Sequence, residues 1–413
     1  MKLNYKKTFI LGFGFFAISL VWQIYNFYIP LFLAEYFPNS MTAVNGIMTI
    51  DNILAVTMIP IIGSLSDRTH TKYGRRMPYL LIGMPLSALL FILIPFFNHN
   101  SGGSIIAFMG IIIVFLLSMS LYRSPTIALM PDITPAPLRS EANGIINFMG
   151  GFGTILALTL GAVLYRANEL YPFILTSILV IISVLILFVF IKEPETGSLS
   201  NHDKEKLNLK QSFYDLTHSS DKTTSYILMA IFCWFIAYHG VVATFSNYCV
   251  KFLMIDEQTA SFYLSVMSAL FMLLAIPSGY LAAKYKKKRI ISLGLIGMLV
   301  SFVLIGFLRK DLFLLGLNFN LSMILLMIFA GISWAFININ SYPLVVDLTT
   351  EDKIGTYTGL YYFSSQSAAI FGPLILGVII DKIGFASMFP VAGLFFGLAF
   401  IFIQLAKPKE SII

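Results

Sequence analysis

Charge is what this 413-residue chain has least of: Asp, Glu, Lys and Arg make up 11% of it, against roughly a quarter in soluble domains. With so little polar surface the chain cannot cover itself in water, which excludes an ordinary soluble globule. Cysteine is scarce too. Cys233 and Cys249 are the two, and they fall in one apolar segment, roughly 24 Å apart along a helix. That separation rules out a bridge within the helix, and no Cys/His spacing suits a metal. No G-x-x-x-x-G-K-[ST] run occurs, so the nucleotide loop of that type is missing and ATP is not expected to drive the protein. No nucleophile–base pair stands out, which leaves a membrane enzyme as the weakest reading. No cofactor is expected.

What the chain has in quantity is apolar length. Hydrophobic residues are 58% of it and the mean hydropathy is +0.84. A spanning helix needs about 20 apolar residues, and twelve such stretches can be read: 8–33, 42–64, 77–97, 104–129, 141–165, 171–191, 225–250, 257–282, 289–308, 320–346, 354–380 and 385–406. Long uninterrupted runs argue for helices rather than barrel strands, which would alternate over about ten residues. The first run follows the basic start MKLNYKK but has no A-x-A-like site, so it reads as a retained span rather than a signal peptide.

The net charge of +7 is sorted by loop. With the N-terminus inside, 21 of the 27 basic residues fall on the inner side, five fall outside, and Arg123 lies within a span. Basic residues confined to one side mark the cytoplasmic face of a membrane protein, so nucleic acid is not the expected partner; the lipid bilayer is. Both termini are expected in the cytoplasm, at the plasma membrane.

The longest polar stretch starts at Lys192 and follows the sixth span. It divides the chain into an N-terminal six-helix bundle (1–191), a linker (192–224) and a C-terminal six-helix bundle (225–413). The halves resemble each other at an offset of 215 residues. PDITPAPLRSEANG (131–144) lies over VDLTTEDKIGTYTG (346–359), aligning Asp132 with Asp347. Two parallel repeats imply a site near the midplane at the repeat interface.

One loop gathers much of the scarce charge. GSLSDRTHTKYGRRMPYLLIG (63–83) holds Asp67, Arg68, Lys72, Arg75 and Arg76 between two apolar spans. The C-terminal half keeps a worn copy, PSGYLAAKYKKKR (277–289), which has lost the Asp. The pattern G-x-L-S-D-R-T-x-x-K-Y-G-R-R-x-P resembles the signature loop of the major facilitator superfamily. Together with SPTIALMPDITPAPLRSEANG (124–144) it resembles the glycoside carriers, the sucrose/proton symporters above all. The resemblance implies an all-α fold of twelve transmembrane helices in two six-helix repeats, with spans 1, 4, 7 and 10 lining the central cavity. It also implies alternating access without an enzymatic step.

Physically, Gly63 is expected to let spans 2 and 3 approach, and Asp67 to accept from N–H groups at a nearby helix N-terminus. Arg68, Arg75 and Arg76 can then pair with Asp67, Asp132 or Glu141. With Gly74 and Arg139, these residues form the expected cytoplasmic gate. A cluster that only fixes topology is the plainer alternative.

Asp51, in TIDNILAVTMIP, is the one acidic residue near the middle of a span. A carboxylate there costs about 2.5–3.5 kcal/mol on insertion scales, and protonation removes most of that cost, as a proton carrier requires. The melibiose-type carriers place coupling aspartates on span 2 as well. Packing against Asn52 or Asn26 is the other reading. Arg123 is the single base within a span; it either snorkels to the interface or faces the cavity and partners Asp51 or the substrate. The plant sucrose carriers have an Asp on span 4 where this chain has Leu116, so coupling falls to Asp51 or is absent.

The three tryptophans lie in spans 1, 7 and 10, each with polar company at helical spacing: Trp22 with Gln23 and Asn26, Trp234 with Tyr238 and His239, Trp334 with Asn338. An aromatic face stacks on a sugar ring while amides and imidazole bond its hydroxyls. Interhelical packing would use the same residues, and His239 can instead be a proton site. The expected function is proton-coupled symport of a disaccharide or related glycoside by a monomer. The rivals are an exporter of amphiphiles, whose pocket should lack the amides, and a non-transporting sugar sensor, which should carry a longer tail than AKPKESII.

Overall fold

The computed structural model describes residues 3–100, 102–135, 138–193, 222–308, 317–348 and 354–407, so most of the linker lies outside the described residues. Among the described residues, twelve helical segments are long and apolar enough to cross a membrane, each within about a turn of the limits read from the sequence. Several hydroxyl side chains inside them return to their own backbone. Thr126 donates to Tyr122 O at 2.7 Å and Ser120 to Leu116 O at 2.9 Å, as groups deprived of water must.

The helices sort into two compact units. Unit 1 holds Met1–Pro38, Ile50–His202 and Asp256–Ser265; unit 2 holds Asn39–Thr49, Asp203–Ile255 and Val266–Ile413. In unit 1, α1 (Tyr5–Tyr36) packs along α6 (Arg139–Ala167) and α7 (Tyr171–Phe190), while α4 (Met77–Leu93) packs on α5 (Ile105–Ile133) and α7. The α1–α6 crossing needs glycine: a Cβ on Gly153 would stand 2.6 Å from Phe16 O. Small residues let backbones meet where lipid supplies no hydrophobic drive. Unit 2 repeats the device. Its α8 (Thr223–Asn247) packs on α12 (Ile354–Ile383), and a Cβ on Gly372 would stand 2.5 Å from Ile236 O.

Span 2 departs from the single helix expected over 42–64. It is two helices in series, α2 (Met41–Met48) and α3 (Ile50–Arg68), meeting at Thr49, whose hydroxyl bonds back to Gly46 O at 2.7 Å. The break is also where the chain passes from unit 2 to unit 1. Within unit 2, Asp381 of α12 caps α2, accepting from Met41 N at 2.6 Å, Thr42 N at 2.9 Å and Ser40 Oγ at 3.2 Å. The buried Asn45 then donates to Thr244 Oγ1 and Pro373 O, both at 2.9 Å. Unit 2 is completed by α9 (Glu257–Tyr285, from Val266 onward), α10 (Lys287–Phe307), α11 (Phe319–Val346) and α13 (Met388–Leu405).

Candidate functional site

The charged loop folds around Arg76. This side chain is only 5% exposed and sends Nη2 to Asp67, Nη1 to Ser66 Oγ, and Nε to Asp132 Oδ2 at 2.9 Å. Arg75 Nη2 donates to the other oxygen of Asp132 at 2.7 Å. Asp132 thus receives one bond on each oxygen from two neighbouring guanidinium groups, an arrangement of charge-assisted bonds in low dielectric. Arg68 is exposed in the last turn of α3. Arg139 opens α6, and its side chain and that of Glu141 lie outside the described residues.

Two expectations for the loop are corrected. Gly63 does not face span 3; a Cβ there would meet Ser124 Oγ of α5 at 3.1 Å, because α3 lies against α5. Nor does Asp67 take the helix N-terminus. Glu193, just past the end of α7, accepts from the N–H groups of Arg75 at 2.8 Å, Arg76 at 3.0 Å and Met77 at 2.7 Å, where α4 begins. An anion at that end satisfies orphan donors and the helix dipole together. Gly74 makes room for it: its φ is +102°, and a Cβ would stand 2.5 Å from Glu193 Cδ. Sequence reasoning missed Glu193, since an acid after span 6 and the turn after span 2 meet only in the fold.

Deeper in unit 1 a second group forms on α1, α3 and α5. The Arg123 guanidinium lies over the Trp22 ring, 5.2 Å from its centroid, at cation–π distance. Asp51 lies on α3, which packs on the α5 helix that carries Arg123, and Asn52 Nδ2 donates to Asp51 Oδ1 at 2.9 Å. Tyr25, one helical turn from Trp22, packs edge-on against it with centroids 5.6 Å apart. Among the described residues neither Trp22 Nε1 nor the buried Tyr25 hydroxyl has a hydrogen-bond partner. Two orphan donors beside a guanidinium leave bonding capacity for a polar guest. Gln23 and Asn26 are half-buried and make no hydrogen bond to this group among the described residues. Leu116 is buried in α5. Tyr25 was legible in principle, because its spacing from Trp22 puts both on one helix face.

Unit 2 is more aromatic. Tyr238 of α8 stacks on Trp334 of α11 at 3.8 Å and 5°, Phe235 stacks on His239 at 5.5 Å and meets Trp334 edge-on at 5.7 Å, and Tyr361 of α12 joins Phe235 at 6.5 Å. Phe235 and Tyr361 were not foreseen. The structure corrects two assignments here. Trp234 is 0% exposed, so it offers no face to a ligand and serves the packing of α8. Trp334 is not an open plate, because Tyr238 already covers one of its faces. Tyr238, His239 and Asn338 are half-buried.

The pattern of the Major Facilitator Superfamily matches residues 11–311 and again 245–412. An uncharacterised symporter of Synechocystis sp. is 31% identical over 169 residues, which are 38% of this chain and 31% of that protein. An isoprimeverose transporter of Lactiplantibacillus pentosus is 24% identical over 303 residues, 70% of this chain and 60% of that one. The matches therefore span less than two thirds of the length of these relatives. The crystal structure of a nucleoside transporter shares the fold with a TM-score of 0.75 across 98% of this chain and 100% of its own, at 16% identity. The twelve membrane-length helices make this a multi-pass membrane protein, and the chain belongs to the major facilitator superfamily.

Proposed function

We propose that this protein is a secondary transporter, without enzymatic activity, that carries a sugar or glycoside together with a proton. One observation supports the reading above others: Arg123 lies over Trp22, whose indole N–H and the neighbouring Tyr25 hydroxyl are orphan donors, while α3, packed on the helix that carries Arg123, brings Asp51. Ionisable groups within a span are costly, so they mark a functional site. The donors suit hydroxyls of a polar substrate, the indole suits the C–H face of its ring, and a carboxylate that can gain or lose a proton ties substrate movement to a gradient. The names borne by the Synechocystis and Lactiplantibacillus relatives favour symport and a sugar.

On this reading the protein sits in the plasma membrane as a monomer with both termini in the cytoplasm, its halves being 1–191 and 225–413 with a linker at 192–224. The Arg75, Arg76, Asp67, Asp132 and Glu193 network then lies on the cytoplasmic side, where it stiffens the N-terminal half as a gate element. The aromatic wall of unit 2 favours a second reading, export of an amphiphile, since stacked rings accept apolar cargo without amide partners. Proteoliposomes decide the matter. With Asp51→Asn, proton-driven accumulation of a disaccharide should vanish while exchange persists; uphill uptake at the wild-type level would remove Asp51 from coupling. Transport of a hydrophobic cation but of no sugar by the wild type would favour export.

A further inference from the structure

Unit 1 holds another polar place, at the far end of α6, about 40 Å along that helix from the Arg75–Asp132 network at 1.5 Å per residue. A cavity of about 680 Å³ opens between the last turns of α6 and the first turns of α9. Ser261 pins the two helices beneath it, donating to Leu158 O at 2.7 Å. The rim is charged. Asp256 is committed to the N-terminus of α9, where its oxygens accept from Thr259 N at 2.9 Å and Thr259 Oγ1 at 2.8 Å. Arg166 and Glu257 are not so engaged. Arg166 reaches Gln258 Oε1 at 3.4 Å, at the edge of hydrogen bonding, and Glu257 accepts no hydrogen bond among the described residues although it lines the cavity.

The wall below the rim is apolar and uncovered: Val163 is 54% exposed and Phe262 46%. The cavity sits where span 5 ends at Ala167 and span 8 begins at Glu257, the level at which headgroups give way to acyl chains. A base and an acid with spare bonding capacity, over an open apolar wall at that level, match an amphiphile whose head carries both charges.

We infer that this cavity binds a phospholipid with a primary-amine headgroup, its phosphate on Arg166, its ammonium on Glu257 and Gln258 Oε1, and its chains along Val163 and Phe262. The choice of amine follows from the acceptors. A carboxylate and an amide oxygen need N–H donors, and a quaternary ammonium has none to give. The inference does not depend on the transported substrate or on the coupling ion.

Lipid retention on the purified full chain tests it, read by native mass spectrometry from vesicles of phosphatidylcholine mixed with phosphatidylethanolamine or its mono- and dimethylated forms. The wild type should retain phosphatidylethanolamine about ten-fold over phosphatidylcholine, the worth of one charge-assisted bond, and the preference should shrink with each methyl. Glu257→Gln should erase the preference, while Arg166→Gln should weaken retention of both lipids. The methyl series needs no variant, so a misfolded variant leaves the test intact. Equal retention of the two lipids by the wild type would overturn the proposal. So would displacement of the bound lipid by equimolar glycerophosphoethanolamine, which would make the site one for a free zwitterion.

Discussion

Units 1 and 2 both set a base beside the same aspartate of the repeat, and they do so at different depths. In unit 1, Arg76 is 5% exposed and Asp132 12%, and the pair is extended by Arg75, Asp67 and Ser66. In unit 2, Lys287 pairs with Asp347 while 31% and 46% exposed. The turns before these bases differ as well. Unit 1 uses Gly74 at φ +102°, whereas unit 2 has Lys286 at φ +74°, a conformation that costs a residue with a Cβ about 1 kcal/mol or more. The repeat has kept an ion pair in both halves but a buried, glycine-shaped network in one. Burial makes the difference, because charge pairs matter to stability when one partner would be stranded without water and matter little when water remains at hand.

Removing the base from each pair should separate the two halves most strongly. Arg76→Met should destabilise the protein by about 3 kcal/mol, the lower end for a broken buried pair because Asp67 keeps some solvent. Lys287→Met should cost about 0.2–1 kcal/mol. Thermal unfolding in detergent checks both, and equal losses would refute the contrast. Next in size is the cap on α2. Asp381→Ala should weaken it by about 1–2 kcal/mol, seen as roughly ten-fold faster hydrogen exchange at Met41 and Thr42 with the α4 amides unchanged; uniform exchange would deny Asp381 a local role.

A gain is expected at the strained turn: Lys286→Gly should stabilise by about 1 kcal/mol, and a lower melting temperature would show that the Lys286 side chain supplies more than its backbone costs. The smallest effect separates the two tryptophans. Trp22→Leu should weaken sugar binding by about 1 kcal/mol, in the range of aromatic contacts, whereas Trp334→Leu should change affinity less and stability more, because Tyr238 rather than a ligand covers its ring. Titration of wild type and variants with a disaccharide, beside their melts, reads the two quantities apart.

Much of this was legible in the sequence. The spans followed from length and hydropathy, since twelve stretches of this kind have one place to go. Asp51 and Arg123 stood out because ionisable residues are rare in such stretches. Local spacing could also have found Tyr25. Three things lay beyond local reading. Glu193 reaches the start of α4 across 116 residues of chain, and nothing in K-E-P-E distinguishes Glu193 from Glu195 as that acceptor. The burial of Trp234 and the covering of Trp334 by Tyr238 depend on the rotation of α8 and α11 about their axes, which a helix apolar all round does not reveal.

From the amino-acid sequence alone it follows that this is a membrane protein with twelve apolar spans and that its scarce charge is concentrated in one turn and at one depth. Those are properties of composition and order along the chain, which lipid reads directly. The fold, not the order of residues, settled which charges meet, which aromatic faces are covered, and that Asn39–Thr49 packs with α8 and α12 while α3 packs with α5. These outcomes depend on contacts between residues hundreds of positions apart, such as Asp381 with Met41, and their energies arise only once the helices have been brought side by side.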